Sequence, residues 1–99
     1  MANMATRVQV ARHLVYHTAW RKDSGARHSM ETALAKLYAS ETAMWTTAKA
    51  VQIHGGMDIP SIFLERYMRD AKITEIYEGA NEVQRIVIAV ATLKQAGAE

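Results

Sequence analysis

The stretch of sequence that decides the fold runs from Ser29 to His54 and reads SMETALAKLYASETAMWTTAKAVQIH. The serine can cap the free N–H groups of a helix start, and Gly55 and Gly56 can adopt the left-handed conformation that ends a helix. Alanine recurs throughout, and such small side chains let a long helix pack closely against its neighbours. The larger groups predicted for its core side are Leu34, Leu37, Tyr38, Met44, Trp45 and Val51.

Three more helices are predicted around this one. The first runs from about Met4 to Lys22 and ends at the turn of residues 23–25, Asp-Ser-Gly. A short third helix begins at Pro60, which suits a first helical turn, and Asn81 caps a fourth. Apolar residues at helical spacing define their buried sides: Met4, Val8, Ala11, Leu14 and Val15; Ile62, Phe63, Tyr67 and Met68; and Val83, Ile86, Val87, Val90 and Leu93. Four helices with short connections predict an all-α fold, an antiparallel four-helix bundle that occupies residues 1–99 as one domain.

The composition excludes several classes of protein. The chain has 99 residues, of which 49% are hydrophobic and 22% charged, as in an ordinary globular domain rather than a disordered segment. The absence of cysteine excludes a disulfide scaffold, thiol catalysis and a cysteine-ligated metal. No run approaches the roughly 18–20 apolar residues that span a bilayer, so no membrane span is predicted. The amino terminus also lacks the apolar run of a signal peptide.

Charge is distributed unevenly along the chain. Residues 1–30 hold five basic residues and one acidic residue, although the net charge of the whole chain is only +2. Such a basic segment could meet the phosphates of nucleic acid or of a cofactor, but a solvated helix face is its commoner role. A helix-turn-helix around the paired glycines is disfavoured, because its second helix would carry Ile62 and Phe63 rather than polar groups that read bases. We therefore expect no nucleic-acid partner.

Histidines are the remaining candidates for metal binding. His13 and His17 stand four residues apart, which is the spacing of two ligands on one face of a helix. No glutamate follows His13 as a metalloprotease pattern requires, and no third ligand is evident. We therefore expect no metal site.

The stretch richest in chemistry is residues 76–85, IYEGANEVQR. It places Glu78 between an apolar shoulder, Ile76 and Tyr77, and Gly79 at the mouth of a helix. Burial against the shoulder would make the carboxylate a stronger proton acceptor, as a general base requires. Gly79 has no side chain, so a ligand could approach the backbone closely. On these residues alone, a solvated loop is the commoner role for a Glu-Gly pair before a helix.

This stretch resembles the carboxy-terminal signature of the acyl-CoA dehydrogenases, in which a tyrosine-glutamate-glycine turn supplies the catalytic base. Residues 50–56, AVQIHGG, resemble the end of that family's flavin-contacting helix. Glu65-Arg66 and residues 69–73, RDAKI, resemble the segment that leads to the base. The first helix, with Ala19-Trp20 and the Asp-Ser-Gly turn, also fits. The resemblance therefore covers essentially the whole chain, in order and with matching spacing.

The resemblance implies an FAD-dependent oxidoreductase of fatty acid β-oxidation that converts an acyl-CoA thioester to a trans-2-enoyl-CoA. Glu78 would remove the pro-R proton from the α carbon, while the β hydrogen leaves as hydride to the flavin. The backbone N–H of Glu78 and a ribityl hydroxyl of FAD would hold the thioester carbonyl, and so stabilise negative charge on its oxygen. Gly79 would lie against the acyl-CoA substrate.

The resemblance also assigns FAD contacts to two segments. The first would meet the adenosine diphosphate half of a neighbouring subunit's FAD and comprises Gln52, Ile53, His54, Gly55 and Gly56. The second flavin-contacting stretch comprises Ala80, Asn81 and Glu82. The family commonly has threonine where this chain has Ala80, so a hydroxyl contact is absent there.

Domain content sets the remaining expectations. The family has an amino-terminal helical domain and a middle β domain ahead of this one, and they supply much of the flavin and acyl-CoA site. We therefore expect these 99 residues to be a fragment without dehydrogenase activity alone. The alternative function is a non-catalytic helical oligomerisation module, since this domain builds the core of the family's dimers and tetramers. Electron-transfer flavoprotein is the expected electron acceptor, and the cytoplasm, or alternatively the mitochondrial matrix, is the expected compartment.

Overall fold

The described part of the chain folds into four α-helices, and the predicted all-α class is confirmed. The computed structural model describes residues 1–57 and 63–97, and no strand occurs within these ranges. The helices are α1 (Ala2–Asp23), α2 (Ser29–His54), α3 (Leu64–Thr74) and α4 (Asn81–Gln95), with a 3-10 turn at Gly55–Met57 after α2. None of the helices formed by the described residues is long and apolar enough to cross a membrane.

The bundle is built around α2, and α1 runs antiparallel to it. At one end the Thr18 hydroxyl donates to the Glu31 carbonyl (3.1 Å), and Arg21 pairs with the Glu31 carboxylate (3.2 Å). At the other end the Arg7 guanidinium lies 4.1 Å from the centre of the Trp45 ring. Within the described residues α1 packs against α2 and against neither of the other two helices.

The last two helices follow one another along α2, both antiparallel to it. Thr74, at the end of α3, lies beside the middle of α2, where Asn81 begins α4 and bonds to Ser40. Gln95, at the end of α4, reaches Met30 near the start of α2. In the described residues α3 and α4 both pack against α2 and not against each other. The connection between them therefore faces the middle of α2.

The interior of the described fold is formed by small residues. The buried apolar residues among those described are Ala33, Ala35 and Ala71, and no large side chain is fully buried. The predicted core sides of α3 and α4 are largely exposed. Met68 is half-buried, Ile62 lies outside the described residues, and the others are all exposed: Phe63, Tyr67, Val83, Ile86, Val87, Val90 and Leu93. The radius of gyration is 16.1 Å, against about 13 Å for a compact domain of this length. The chain thus has helical faces that it does not itself cover.

The helix ends only partly match the prediction. Both ends of α2 lie where the sequence placed them, and α1 matches to within two residues. The predicted side-chain caps at Ser29 and Asn81 are wrong: the N-cap residues are His28 and Ala80, and neither helix start has a side-chain cap bond. At the end of α2 only Gly55 has a positive φ, of 67°. The predicted helix start at Pro60 lies outside the described residues.

Candidate functional site

The turn that carries Glu78 has an unusual backbone. Glu78 has φ 54° and Gly79 has φ 87°, and Glu78 is the one non-glycine residue with positive φ among those described. A positive φ brings the Cβ of an L-residue close to its own backbone and costs on the order of 1–3 kcal/mol, so it persists only where the surroundings impose it. At Gly79 a Cβ would also lie 2.5 Å from the Gln84 side-chain nitrogen. That atom is the end of a flexible side chain and can move, so the positive φ is the stronger reason for glycine at this position.

Three hydrogen bonds close the turn. The Tyr77 amide donates to the Ile73 carbonyl (3.0 Å), and the Asn81 amide donates to the Glu75 carbonyl (2.9 Å). The Gln84 side chain donates to the Gly79 carbonyl (3.2 Å). Glu78 thus stands at the tip of a loop whose two ends are joined at Glu75 and Asn81.

A buried polar cluster joins this loop to α2. The Asn81 side chain is only 4% exposed. Its carbonyl oxygen accepts from the Lys36 ammonium (2.8 Å), and its amide donates to the Ser40 hydroxyl (2.9 Å). The Ser40 hydroxyl in turn donates to the Lys36 carbonyl (2.8 Å). Every polar atom of the Asn81 side chain is therefore satisfied by α2, as a buried amide requires.

A cleft of about 400 Å³ lies between this turn and α2. Ala39 and Ala43 supply small side chains to its α2 wall, and the other lining residues are Lys36, Ser40, Thr74, Tyr77 and Glu78. The expected burial of Glu78 against its apolar shoulder is wrong for this chain. Glu78 is exposed, and Ile76 and Tyr77 are 57% and 52% exposed. None of the described elements covers this shoulder.

Lys36 and Ser40 are site residues that the sequence did not reveal. They lie one helical turn apart on α2, and a Lys-x-x-x-Ser spacing on an alanine-rich helix carries no chemical signal of its own. Their partner Asn81 is more than forty positions further along the chain. Only the alignment of α4 beside α2 brings the three residues together.

The two segments predicted to contact FAD lie apart. Ala80, Asn81 and Glu82 adjoin Glu78; Ala80 is half-buried and Glu82 is exposed. In residues 52–56, at the far end of α2, Gly55 is half-buried, while Gln52, Ile53, His54 and Gly56 are exposed. At about 1.5 Å per helical residue, this end lies on the order of 20 Å along α2 from Ser40. The chain therefore brings the second segment to Glu78 but not the first.

Metal ligands do not cluster in the described part of the chain. No group of three or more histidine, aspartate or glutamate side chains there is placed to hold an ion. His17 lies against Trp20, with ring centroids 5.8 Å apart.

This arrangement has counterparts in known proteins. A family model described as the acyl-CoA dehydrogenase C-terminal domain matches residues 1–93. The short-chain-specific acyl-CoA dehydrogenase of Clostridium acetobutylicum is 49% identical over 90 residues, which cover 90% of this chain and 24% of that protein.

Solved structures give the same picture. The butyryl-CoA dehydrogenase of Megasphaera elsdenii superposes with a TM-score of 0.90 at 46% identity, over 93% of this chain and 24% of that one. A chain in a structure of the electron transferring flavoprotein of Acidaminococcus fermentans superposes with a TM-score of 0.92 at 52% identity, over 95% of this chain and 25% of that one. The chain spans about a quarter of the length of each of these proteins.

Proposed function

This chain belongs to the acyl-CoA dehydrogenase family, as its C-terminal domain, and from that premise we propose that Glu78 is the catalytic base of an FAD-dependent enzyme that desaturates an acyl-CoA thioester. One observation carries the proposal. The chain holds the Glu78 carboxylate at the edge of an open cleft on a backbone with φ 54°. Holding an exposed glutamate at a strained φ costs folding free energy, and such strain is typical of residues that contact a substrate.

The chemistry assigned to Glu78 is removal of the proton on the substrate's α carbon. The C–H electron pair moves toward the thioester carbonyl, and the backbone N–H of Glu78 is proposed to donate to that carbonyl oxygen. A donor at this point stabilises the developing negative charge and so acidifies the α proton. FAD, when bound, supplies the acceptor for the β hydrogen, which leaves as hydride. The proton ends on the Glu78 carboxylate, and the substrate becomes an enoyl thioester.

The residues at the end of α2 fit a contact with FAD. A Cβ built on Gly55 or Gly56 would meet no other atom within 4 Å, so a ligand has room to approach the backbone there. Gln52 is exposed and offers amide donors beside these glycines. Their distance from Glu78 supports assigning residues 52–56 to the flavin of a second subunit, and Ala80, Asn81 and Glu82 to the flavin beside Glu78. Retention of a flavin absorption band through gel filtration, measured after FAD is added to the purified chain, tests whether these residues suffice.

Replacing the base tests the proposed reaction. In the complete enzyme of which this domain forms the C-terminal quarter, Glu78→Gln should lower turnover by at least about a hundredfold, since a positioned base typically contributes 10²- to 10⁴-fold. Bound flavin should be unchanged. Acyl-CoA-dependent reduction of an artificial electron acceptor measures the first quantity, and visible absorbance the second.

Glu75→Gln is the matched control, because it removes another carboxylate from the same turn. Its partner Lys72 can still donate to the amide oxygen that replaces the carboxylate. Turnover of this variant should stay within about twofold of the parent enzyme, since loss of one exposed ion pair is worth less than about 1 kcal/mol. Unchanged turnover in Glu78→Gln would refute the assignment of the base.

The isolated chain is proposed to be inactive, with an electron-transferring flavoprotein as the acceptor of the complete enzyme. The similarity to a chain in the Acidaminococcus structure supports that choice of acceptor. The open shoulder of Ile76 and Tyr77 supports the proposed inactivity, because the carboxylate here is not shielded from water. Turnover by the purified chain with FAD and butyryl-CoA would contradict it.

Self-association is the second candidate function. The outer side of α4 leaves large apolar side chains about half exposed, which is unusual for a chain that remains monomeric. A helical module of this kind would bury that surface against another copy. Light scattering on the purified chain tests this function, and a strict monomer would remove its support.

A further inference from the structure

We propose that Lys36 and Asn81 form a latch that holds the Glu78 turn in its working conformation, and that both are therefore positioning residues for proton abstraction. This inference rests on the proposed role of Glu78. It means that a contact between α2 and α4 affects the rate of catalysis.

Glu78 itself has nothing to fix its direction except the backbone. Its carboxylate makes no hydrogen bond or ion pair with any other described residue. Its φ of 54° is one that an L-residue leaves readily when the chain around it is released. Whatever holds the ends of the loop therefore decides where the carboxylate points.

The latch holds the end of the loop that follows Glu78. Asn81 lies three residues after Glu78, and its backbone N–H already closes the loop by donating to the Glu75 carbonyl. Its side chain extends to α2, where the Lys36 ammonium and the Ser40 hydroxyl bind its two polar atoms. A hydrogen bond from an ammonium is stronger than one between neutral groups, and the low exposure of Asn81 shields it from water.

Other contacts also join α4 to α2, but they lie further from Glu78. The Arg85–Glu41 ion pair is exposed and lies one helical turn beyond Asn81. The Gln84 side chain that reaches the Gly79 carbonyl is attached to α4 and moves with it. The bond from Asn81 to Glu75 joins the loop to itself. Without the latch the loop stays closed but loses its nearest hydrogen bonds to α2 among the described residues, and α2 residues 36–43 form the opposite wall of the cleft. A displacement of about 1 Å at a reacting group can cost on the order of a hundredfold in rate.

The test is a double-mutant cycle in the complete enzyme, with kcat per bound flavin and KM for acyl-CoA as the readouts. Lys36→Met should lower kcat per flavin by about tenfold or more, with KM changed by less than about threefold, since the Lys36 ammonium is bonded to Asn81 rather than to a ligand in the cleft. Asn81→Ala should lower kcat per flavin at least as much, since it removes the latch together with the flavin contact proposed for Asn81. The double variant should be no slower than Asn81→Ala, because both changes remove the same hydrogen bond. Lys36→Arg should restore most of the rate, since its guanidinium can donate to the same oxygen.

Controls separate positioning from folding and from the proposed function. Lys49→Met removes an exposed lysine from the same helix and should leave kcat unchanged. A merely structural latch would lower the melting temperature and flavin content of Lys36→Met but not its kcat per bound flavin, and that result would overturn the inference. In a Glu78→Gln background Lys36→Met should have no further effect on the residual rate. If Glu78→Gln keeps full turnover, the proposed function fails; if it abolishes turnover while Lys36→Met and Asn81→Ala keep it, only the latch fails.

Discussion

Asn81, the first residue of α4, is buried, whereas large apolar residues further along the same helix are exposed. Asn81 is 4% exposed, and all of its polar side-chain atoms have partners on α2. A few residues later Ile86 is 63% exposed and Leu93 is 56% exposed. The polar residue is thus buried and the apolar ones are not, which reverses the usual order for an amphipathic helix.

The difference shows that the polar contacts of Asn81 are satisfied within the chain, whereas the apolar surface of α4 is not fully buried. The hydrogen bonds that shape the Glu78 turn are made by residues of this chain. The apolar burial that normally dominates folding free energy is incomplete in the described part of the chain, where the buried apolar residues are all alanines. Changes to the buried residues should therefore affect stability more than changes to the exposed side of α4 or to exposed charges.

Overpacking the alanine interior should be the most destabilising change. Ala33 is 1% exposed. Ala33→Leu should lower the free energy of unfolding by about 3 kcal/mol, the upper end of the usual range for added methylenes in a packed site. Ala89→Leu places the same side chain on an exposed position of α4 and should change stability by less than about 0.5 kcal/mol. Urea denaturation measures both, and equal effects would show that the alanine contacts are not the interior of the domain.

Breaking the buried amide cluster should come next. Asn81→Ala leaves Lys36 without its acceptor and Ser40 without its donor, and should lower the free energy of unfolding by about 2 kcal/mol. Asn3→Ala, at an exposed position of α1, removes the same amide with little effect. The same denaturation experiment compares the two. A neutral Asn81→Ala would mean that α4 stays docked without this cluster.

Changing the exposed side of α4 should affect association more than stability. Ile86→Lys replaces a largely exposed apolar group and should shift the free energy of unfolding of the monomer by less than about 0.5 kcal/mol. If the apolar side of α4 mediates self-association, the same change should lower the mass measured by light scattering. Thr92→Lys adds the same charge to an exposed polar position of the helix and serves as the control. An undiminished mass in Ile86→Lys would place any self-association elsewhere.

The smallest effect concerns an exposed ion pair ahead of the turn. The hydrogen bond and charge of Glu75 raise the pKa of Lys72 above its ordinary 10.5. Because the folded-state pKa is the higher one, the stabilisation is fully present below the unfolded pKa and is lost as the pH rises through the folded one. Glu75→Gln should return the pKa of Lys72 toward its ordinary value, whereas Glu65→Gln, whose partner is Arg69, should not. NMR titration of the Lys72 side chain distinguishes them, and equal shifts in both variants would exclude Glu75 as the cause.

Local rules predicted the helices well and their contacts poorly. Both ends of α2 match because a helix and its glycine terminator depend on nearby residues. The same rules assigned Asn81 to the N–H groups of its own helix, whereas the fold directs it to Lys36 and Ser40. Helical periodicity also marked Phe63 and Ile86 as core-facing, but both are exposed, because among the described elements α3 and α4 pack against α2 and not against each other.

For the candidate site too, the sequence predicted some features and only the structure showed the others. The order of Tyr77, Glu78 and Gly79 marked the turn and, through the family resemblance, its chemistry. The positive φ of Glu78, the cleft beside it and its exposure are visible only in the folded chain. The FAD role of residues 52–56 stays a prediction, and so does that of Ala80, Asn81 and Glu82.

The sequence by itself determined the four helices of the described residues, where α2 begins and ends, and which glutamate lies in the turn before α4. These features depend on residues within a few positions of one another, and propensity and spacing act over that range. The tertiary structure decided that Lys36 and Ser40 meet Asn81, and that residues 52–56 lie far from Glu78. Those outcomes depend on the antiparallel alignment of α4 with α2, which joins positions more than forty residues apart, and no local pattern encodes that register.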